Sequence, residues 1–330
     1  MKRLLHGALA LAAIAPVAQC GGGGQVAVAG LRVWLDASSD ASFVIDTSGA
    51  QPTIVSWASV SPATETLVQA TKAKQPKRNL TPGFNNVEFD GIDDVLARTI
   101  AGPVNINETT VFLVLVPLSN NGNAQYHAFM SWTRGNQNDY QAGLNIDMGQ
   151  LATTDFTVFN IEGPKRTTPG GFDFMSTGIP FGTPTITQTN YWNTAIGASI
   201  NGTAQQASLP VVNTNPMAFD TVRIGARYFN GIERGYCQVR VAELLVYDRP
   251  LNACEINSIG QYLAGRYGIV TSYLRPDLNA DGVVNTSDLT LLLVGFGQAV
   301  QPLTGGDVNG DGVVNTNDLT LLLSVFGLSC

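Results

Sequence analysis

Asp277, Asn279, Asp281, Asn285 and Asp288 set oxygen-bearing side chains at positions one, three, five, nine and twelve of one stretch, and Asp307, Asn309, Asp311, Asn315 and Asp318 repeat the pattern thirty residues later. Gly282 and Gly312 hold position six, where the chain must turn sharply. Val283 and Val313 at position seven can offer only a backbone carbonyl. Hard cations bind such all-oxygen sets, so the spacing predicts two calcium ions. Position twelve is Asp where the general loop pattern has a bidentate Glu, so the shorter arm must reach its ion from a helix already under way.

Each loop is followed by an amphipathic stripe, Leu289, Leu292, Leu293 and Phe296 in the first copy and Leu319, Leu322, Leu323 and Phe326 in the second. Gly297 and Gly327 stand where left-handed C-terminal caps are expected. Two loop-plus-helix units without entering helices resemble a dockerin domain over residues 275–330. The resemblance implies calcium-dependent folding and docking onto a cohesin-like or cell-surface protein. Cellulosomal dockerins carry a Lys/Arg pair within the helix, whereas 291–296 and 321–326 hold no charge. The residues that resemble the family's partner-reading pair are Thr286 and Ser287, then Thr316 and Asn317.

A second chemistry is offered by Glu88-Phe-Asp90-Gly91-Ile-Asp93. Strand alternation puts Glu88 and Asp90 on one face, and the spacing resembles the Glu-x-Asp-x-x-Glu signature of retaining glucanases, which need two carboxyls about 5 Å apart. Here the last acid is the shorter Asp93, and Gly91 predicts a turn where the strand should continue. The favoured reading is a turn in which Asp90, Asp93 and Asp94 accept backbone N–H bonds. A cation at Asp93 and Asp94 is a third option. Outside the leader the single histidine is His127, with no Gly-x-Ser-x-Gly elbow or zinc-spaced partner. Trp132, Tyr140, Trp192, Tyr228 and Phe229 lie near turns and could stack on sugar rings, while Trp34 and Trp57 read as core residues.

The elements that must position these groups are mostly short strands. Residues 110–118 form a nearly continuous β-branched apolar run, expected as a central strand buried on both faces. Further strands are expected at 31–36, 87–89, 126–132, 141–148, 156–160, 193–200, 221–224 and 238–247, with Asn201-Gly202 as a hairpin turn. A closing helix runs from about Asn252 to Arg266 and stops at Gly268. The expected class is mainly β, a two-sheet sandwich over 31–270. The segments Leu31–Ser38, Val87–Asp94 and Val241–Pro250, with the helix ending Tyr267-Gly268, resemble LamG-like, concanavalin A-like jelly-roll domains. Such domains bind glycans or act as spacers, and some relatives are glycosidases or lyases.

The chain has 330 residues and a formal charge of −7, with six acids in the two loops. No basic stripe is present, which argues against nucleic acid as a partner. Lys2-Arg3 and the apolar run 4–18 read as an export signal ending near Cys20, too short for a membrane span. Cleavage is favoured over lipidation at Cys20, and residues 21–30 form a Gly-rich lead-in. Strand spacing puts Cys237 and Cys254 too far apart to bond, so buried free thiols are expected there, and the fate of Cys330 is left open. The first expectation is a secreted, non-catalytic protein whose sandwich binds a polysaccharide or a surface. The alternative is a glycoside hydrolase or polysaccharide lyase using Glu88, Asp90 and Asp93.

Overall fold

A computed structural model describes residues 26–60, 62–121, 126–165, 174–206, 211 and 213–330. The expected leader, Cys20 and Gly21–Gly24 lie outside the described residues. The chain is mainly β and sandwich-like, with sixteen strands linked edge to edge in one antiparallel sheet that folds over on itself and two further two-stranded sheets beside it.

Thr109–Ser119 is the central strand, paired on one side with Gln238–Tyr247 and on the other with Thr185–Tyr191. Val111, Leu113 and Leu115 point into the sandwich core, and Phe112 and Val114 point the opposite way. A strand buried on both faces needs apolar side chains at every position, which explains the unbroken run in sequence. Its outer face is covered by the helix Ala253–Tyr267 through Ile259, Tyr262 and Leu263. Asn252 caps that helix, accepting N–H bonds from Cys254 and Glu255, and Gly268 ends it at φ 63°.

The facing layer includes Leu96–Ile106, Met217–Ile224, Ala128–Thr133, Leu144–Asp147 and Asn160–Glu162, paired in that order. Three expected strands are altered. The stretch 141–148 begins as a short helix, Asp139–Ala142, and only Leu144–Asp147 pairs. The stretch 156–160 divides between Asp155–Phe156 and Asn160–Glu162, and 193–200 shortens to Ile196–Ile200. Leu96–Ile106 and Thr185–Tyr191 were not expected as strands.

The C-terminal segment contributes the helices Thr286–Gly295 and Thr316–Ser324, each opening at a loop Asn that caps it. Its small core comprises Val284, Leu292, Val308, Val314, Leu322 and Val325 around Cys254. Half of each expected stripe is therefore unused. Leu293 and Phe296 are exposed, as are Leu323 and Phe326, because the loop valines rather than the opposite helix fill the centre. The expectation of a free thiol at Cys254 is also corrected: Cys254 and Cys330 form a disulfide, and among the described residues Cys237 is the one free cysteine. Folding brings the last residue to the start of the closing helix, a proximity that strand spacing could not reveal.

Candidate functional site

Glu88 and Asp90 do lie on one face of the strand Asn86–Asp90, with Val87 and Phe89 in the core. Their surroundings differ. Glu88 is tied across the sheet, its Oε2 accepting from Arg240 Nε at 2.6 Å and Asn79 Nδ2 at 2.9 Å. Asp90 builds the turn: its Oδ1 accepts from the backbone N–H groups of Ile92, Asp93 and Asp94 at 2.8, 3.3 and 3.4 Å. Gly91 permits this at φ 76°, and a Cβ there would stand 2.9 Å from Gln238 Cβ.

Asp94 is the residue that the sequence undervalued. It is nearly buried, and its Oδ2 accepts from Asp90 N at 3.0 Å. Burial, reinforced by the nearby Asp90 carboxylate, pushes its pKa up to about 7. The turn gathers Asp90, Asp93 and Asp94, with one carboxylate oxygen of each within 4.8 Å of the others. Glu88 stands apart from this trio because Arg240 holds it. The signal in sequence was the doubled acid Asp93-Asp94 after a Gly, which fits an Asx turn equally well.

A second, wholly buried polar group lies between Leu144–Asp147 and Asn160–Glu162. Arg227 donates to Asp139 Oδ1 at 2.7 Å and to Glu162 Oε2 at 2.8 Å, while Asp147 accepts from Asn145, Asn160 and Gly149 N. Desolvation, helped by the Glu162 charge, raises the Asp147 pKa to about 8. No sequence motif announced this group, because its members come from four separate segments.

In the C-terminal loops, Asp307, Asp311 and Asp318 bring carboxylate oxygens within 4.8 Å of one another. Asp318 is fully buried and accepts from the N–H groups of Val308, Asn309 and Asn315, and Asp288 receives the equivalent bonds from Leu278, Asn279 and Asn285. Asp277 and Asp307 accept from Gly282 N and Gly312 N, so the position-six glycines fold the chain around the acids. Asn279 and Asn309 donate to Asp281 and Asp311, and the Asn285 and Asn315 oxygens cap the helices. The Val283 and Val313 carbonyls accept from the amides of Asn285 and Asn315. Burial, with Asp288 and Asp281 beside it, raises the Asp277 pKa. Acids packed together without a basic side chain among them, Asp307 and Asp318 buried and Asp311 exposed, suit a hard cation. Thr286, Ser287, Thr316 and Asn317 are exposed in the first turns of the two helices.

The aromatic candidates divide. Trp132 is fully buried in the core, and Trp192 donates to Thr110 Oγ1. Tyr140 and Phe229 meet with centroids 5.9 Å apart. His127 is nearly buried, its Nδ1 2.7 Å from Tyr236 O. Among the described residues, no helix is long and apolar enough to cross a membrane.

No family model and no curated protein matches the chain. Solved structures show similarity at low identity. A Trypanosoma rangeli sialidase in complex with 2,3-difluorosialic acid is 14% identical at a TM-score of 0.49, the match covering 77% of this chain and 36% of that one. The same sialidase with sialic acid gives 15%, 0.49, 76% and 36%. The binding domain of botulinum neurotoxin serotype G gives 10%, 0.40, 67% and 51%. This chain thus spans about a third of the sialidases' length, and at these identities the likeness concerns the fold alone. One expectation is corrected: a non-catalytic binding and assembly protein was placed first, whereas the sialidases among these neighbours are glycoside hydrolases and stand with the alternative, a glycan-cleaving enzyme.

Proposed function

We propose that the sandwich is a glycan-cleaving domain of glycoside-hydrolase type, with its reacting carboxyls at the turn after Asn86–Asp90. The supporting observation is the meeting of Asp90, Asp93 and Asp94 within 4.8 Å. Glycoside hydrolysis needs one carboxyl that keeps its proton near neutrality and a second that attacks the sugar or activates water. Asp94 fits the acid, since burial holds its pKa at about 7. Asp93 is the attacking group in this reading, and Asp90 fixes the turn through its three N–H bonds. Carboxyls this close leave no room for an intervening water, so the sugar leaves with retained configuration.

In a depolymerisation screen of polysaccharides and aryl glycosides, Asp94→Asn should lower turnover about 10²–10⁴-fold, while Glu88→Gln remains active. Loss of turnover in Glu88→Gln with an active Asp94→Asn would overturn the assignment. A folded wild-type chain that cleaves nothing in the screen would overturn the function.

The C-terminal segment is proposed as a dockerin-like unit binding two calcium ions through Asp277, Asn279, Asp281, Val283, Asn285 and Asp288 and their counterparts Asp307, Asn309, Asp311, Val313, Asn315 and Asp318. The exposed Leu291, Leu293, Val294 and Phe296 beside Thr286 and Ser287 favour a protein partner of cohesin type on that face. The Cys254–Cys330 disulfide favours an oxidising, extracellular setting.

A further inference from the structure

Leu144–Asp147 and Asn160–Glu162 pair with Asn145 opposite Glu162 and Asp147 opposite Asn160. Alternation sends Leu144, Ile146 and Ile161 into the core and turns these four polar side chains to the other face. All four are nevertheless buried, none more than 4% exposed. Asp147 Oδ2 accepts from Asn145 Nδ2 at 2.5 Å and from Asn160 Nδ2 at 2.7 Å, and Asn145 Nδ2 also lies 3.2 Å from Glu162 Oε2. Both amides face the carboxylates, yet each leaves its own Oδ1 buried without a donor. Reversing either amide would only press an oxygen against a carboxylate oxygen.

The charge is unbalanced as well. Arg227 is matched by Asp139, which it grips through Nε and Nη2, and it lends one further bond to Glu162. Ionised Asp139, Asp147 and Glu162 against one guanidinium leave two negative charges in excess. Among the described residues, no other basic side chain bonds to Asp147 or Glu162. Buried charge of this kind is matched by a counter-ion or removed by a proton.

We propose that Asn145, Asp147, Asn160 and Glu162 bind one divalent cation, of calcium type, between the two strands. With both amides turned, the ion meets four side chains that offer only oxygen. It cancels the two excess charges and gives each orphaned amide oxygen a partner. Such donors suit calcium, whose coordination is adaptable, better than zinc, which favours nitrogen and sulfur.

Calcium titration of the metal-stripped full-length chain, followed by native mass spectrometry, tests this apart from the C-terminal loops. With the loops silenced by Asp281→Ala and Asp311→Ala, one calcium ion should still bind, and adding Asp147→Asn should abolish it. Asn160→Asp in the same background adds a carboxylate and should tighten binding about tenfold, which keeps the test decisive if Asp147→Asn fails to fold. A folded, loop-silenced chain that takes up no calcium at millimolar concentration, with Asn160→Asp equally inert, would overturn the proposal and leave a proton on Asp147 as what settles the charge.

Discussion

Glu243 shows at the scale of one residue what burial does to a charge. It has no exposed surface, and its carboxyl accepts from Trp34 Nε1 at 2.7 Å, Tyr262 OH at 3.0 Å and Tyr267 OH at 2.8 Å, with Arg266 Nη1 at 3.5 Å. Desolvation dominates these bonds and raises its pKa from 4.5 to about 7. The folded chain then holds a proton that the unfolded chain has lost, so stability is full below pH 4.5 and declines as pH rises toward 7. The loss is on the order of 3 kcal/mol. Urea unfolding at a series of pH values, at constant calcium, should show this decline in the wild type and a shallower one in Glu243→Gln. Equal slopes in both proteins would show that Glu243 is not the titrating group. None of this was legible in Val-Ala-Glu243-Leu-Leu, because the groups facing Glu243 come from the closing helix and from Trp34. The burial of Asp94 was hidden for the same reason, since its depth depends on the packing of the turn rather than on its spacing.

The elements follow local rules unevenly. Thr109–Ser119 was plain in sequence because a strand at the centre of the sandwich is apolar on both faces, and Gln238–Tyr247 because of its dense run of Val, Leu and Tyr. Leu96–Ile106 was hidden by Gly102 and Pro103, and Thr185–Tyr191 by its run of Thr, Gln and Asn. Both are held by pairing with neighbours rather than by their own pattern. The loop-plus-helix units are the opposite case. Their acids, glycines and caps lie within twelve residues of one another, so nearly all of their geometry was local enough to predict. Their packing was less so, and the exposed Leu293 and Phe296 are the consequence. If calcium holds these units, metal removal should unfold them. EDTA should melt the helices Thr286–Gly295 and Thr316–Ser324, and Asp281→Ala with Asp311→Ala should keep them unfolded in excess calcium. Amide NMR signals from 275–330 that are unchanged by EDTA would refute calcium-dependent folding of this segment.

At the scale of the molecule, the C-terminal segment is built into the sandwich rather than strung from it. Tyr273 is buried against the closing helix at Gly260, Leu274 N donates to Asn257 Oδ1, and Asn252 Nδ2 donates to Ser329 O. The disulfide from Cys254 to Cys330 closes this arrangement across 76 residues. Closing a loop of that length in the unfolded chain removes entropy worth about 4 kcal/mol. The segment therefore has two independent holds, a covalent one at its end and the proposed ions within it. Removing either should leave it attached to the sandwich, and removing both should free it. Limited proteolysis distinguishes these states, since cleavage near 270–276 separates the sandwich from the segment only when the segment opens and nothing covalent spans the cut. Cys330→Ser in calcium should resist cleavage, and the wild type in EDTA should be nicked but remain joined through the disulfide on a non-reducing gel. Cys330→Ser in EDTA should release a free sandwich fragment. Rapid release from Cys330→Ser with calcium still present would show that the disulfide alone holds the segment and that the loops contribute nothing to its attachment.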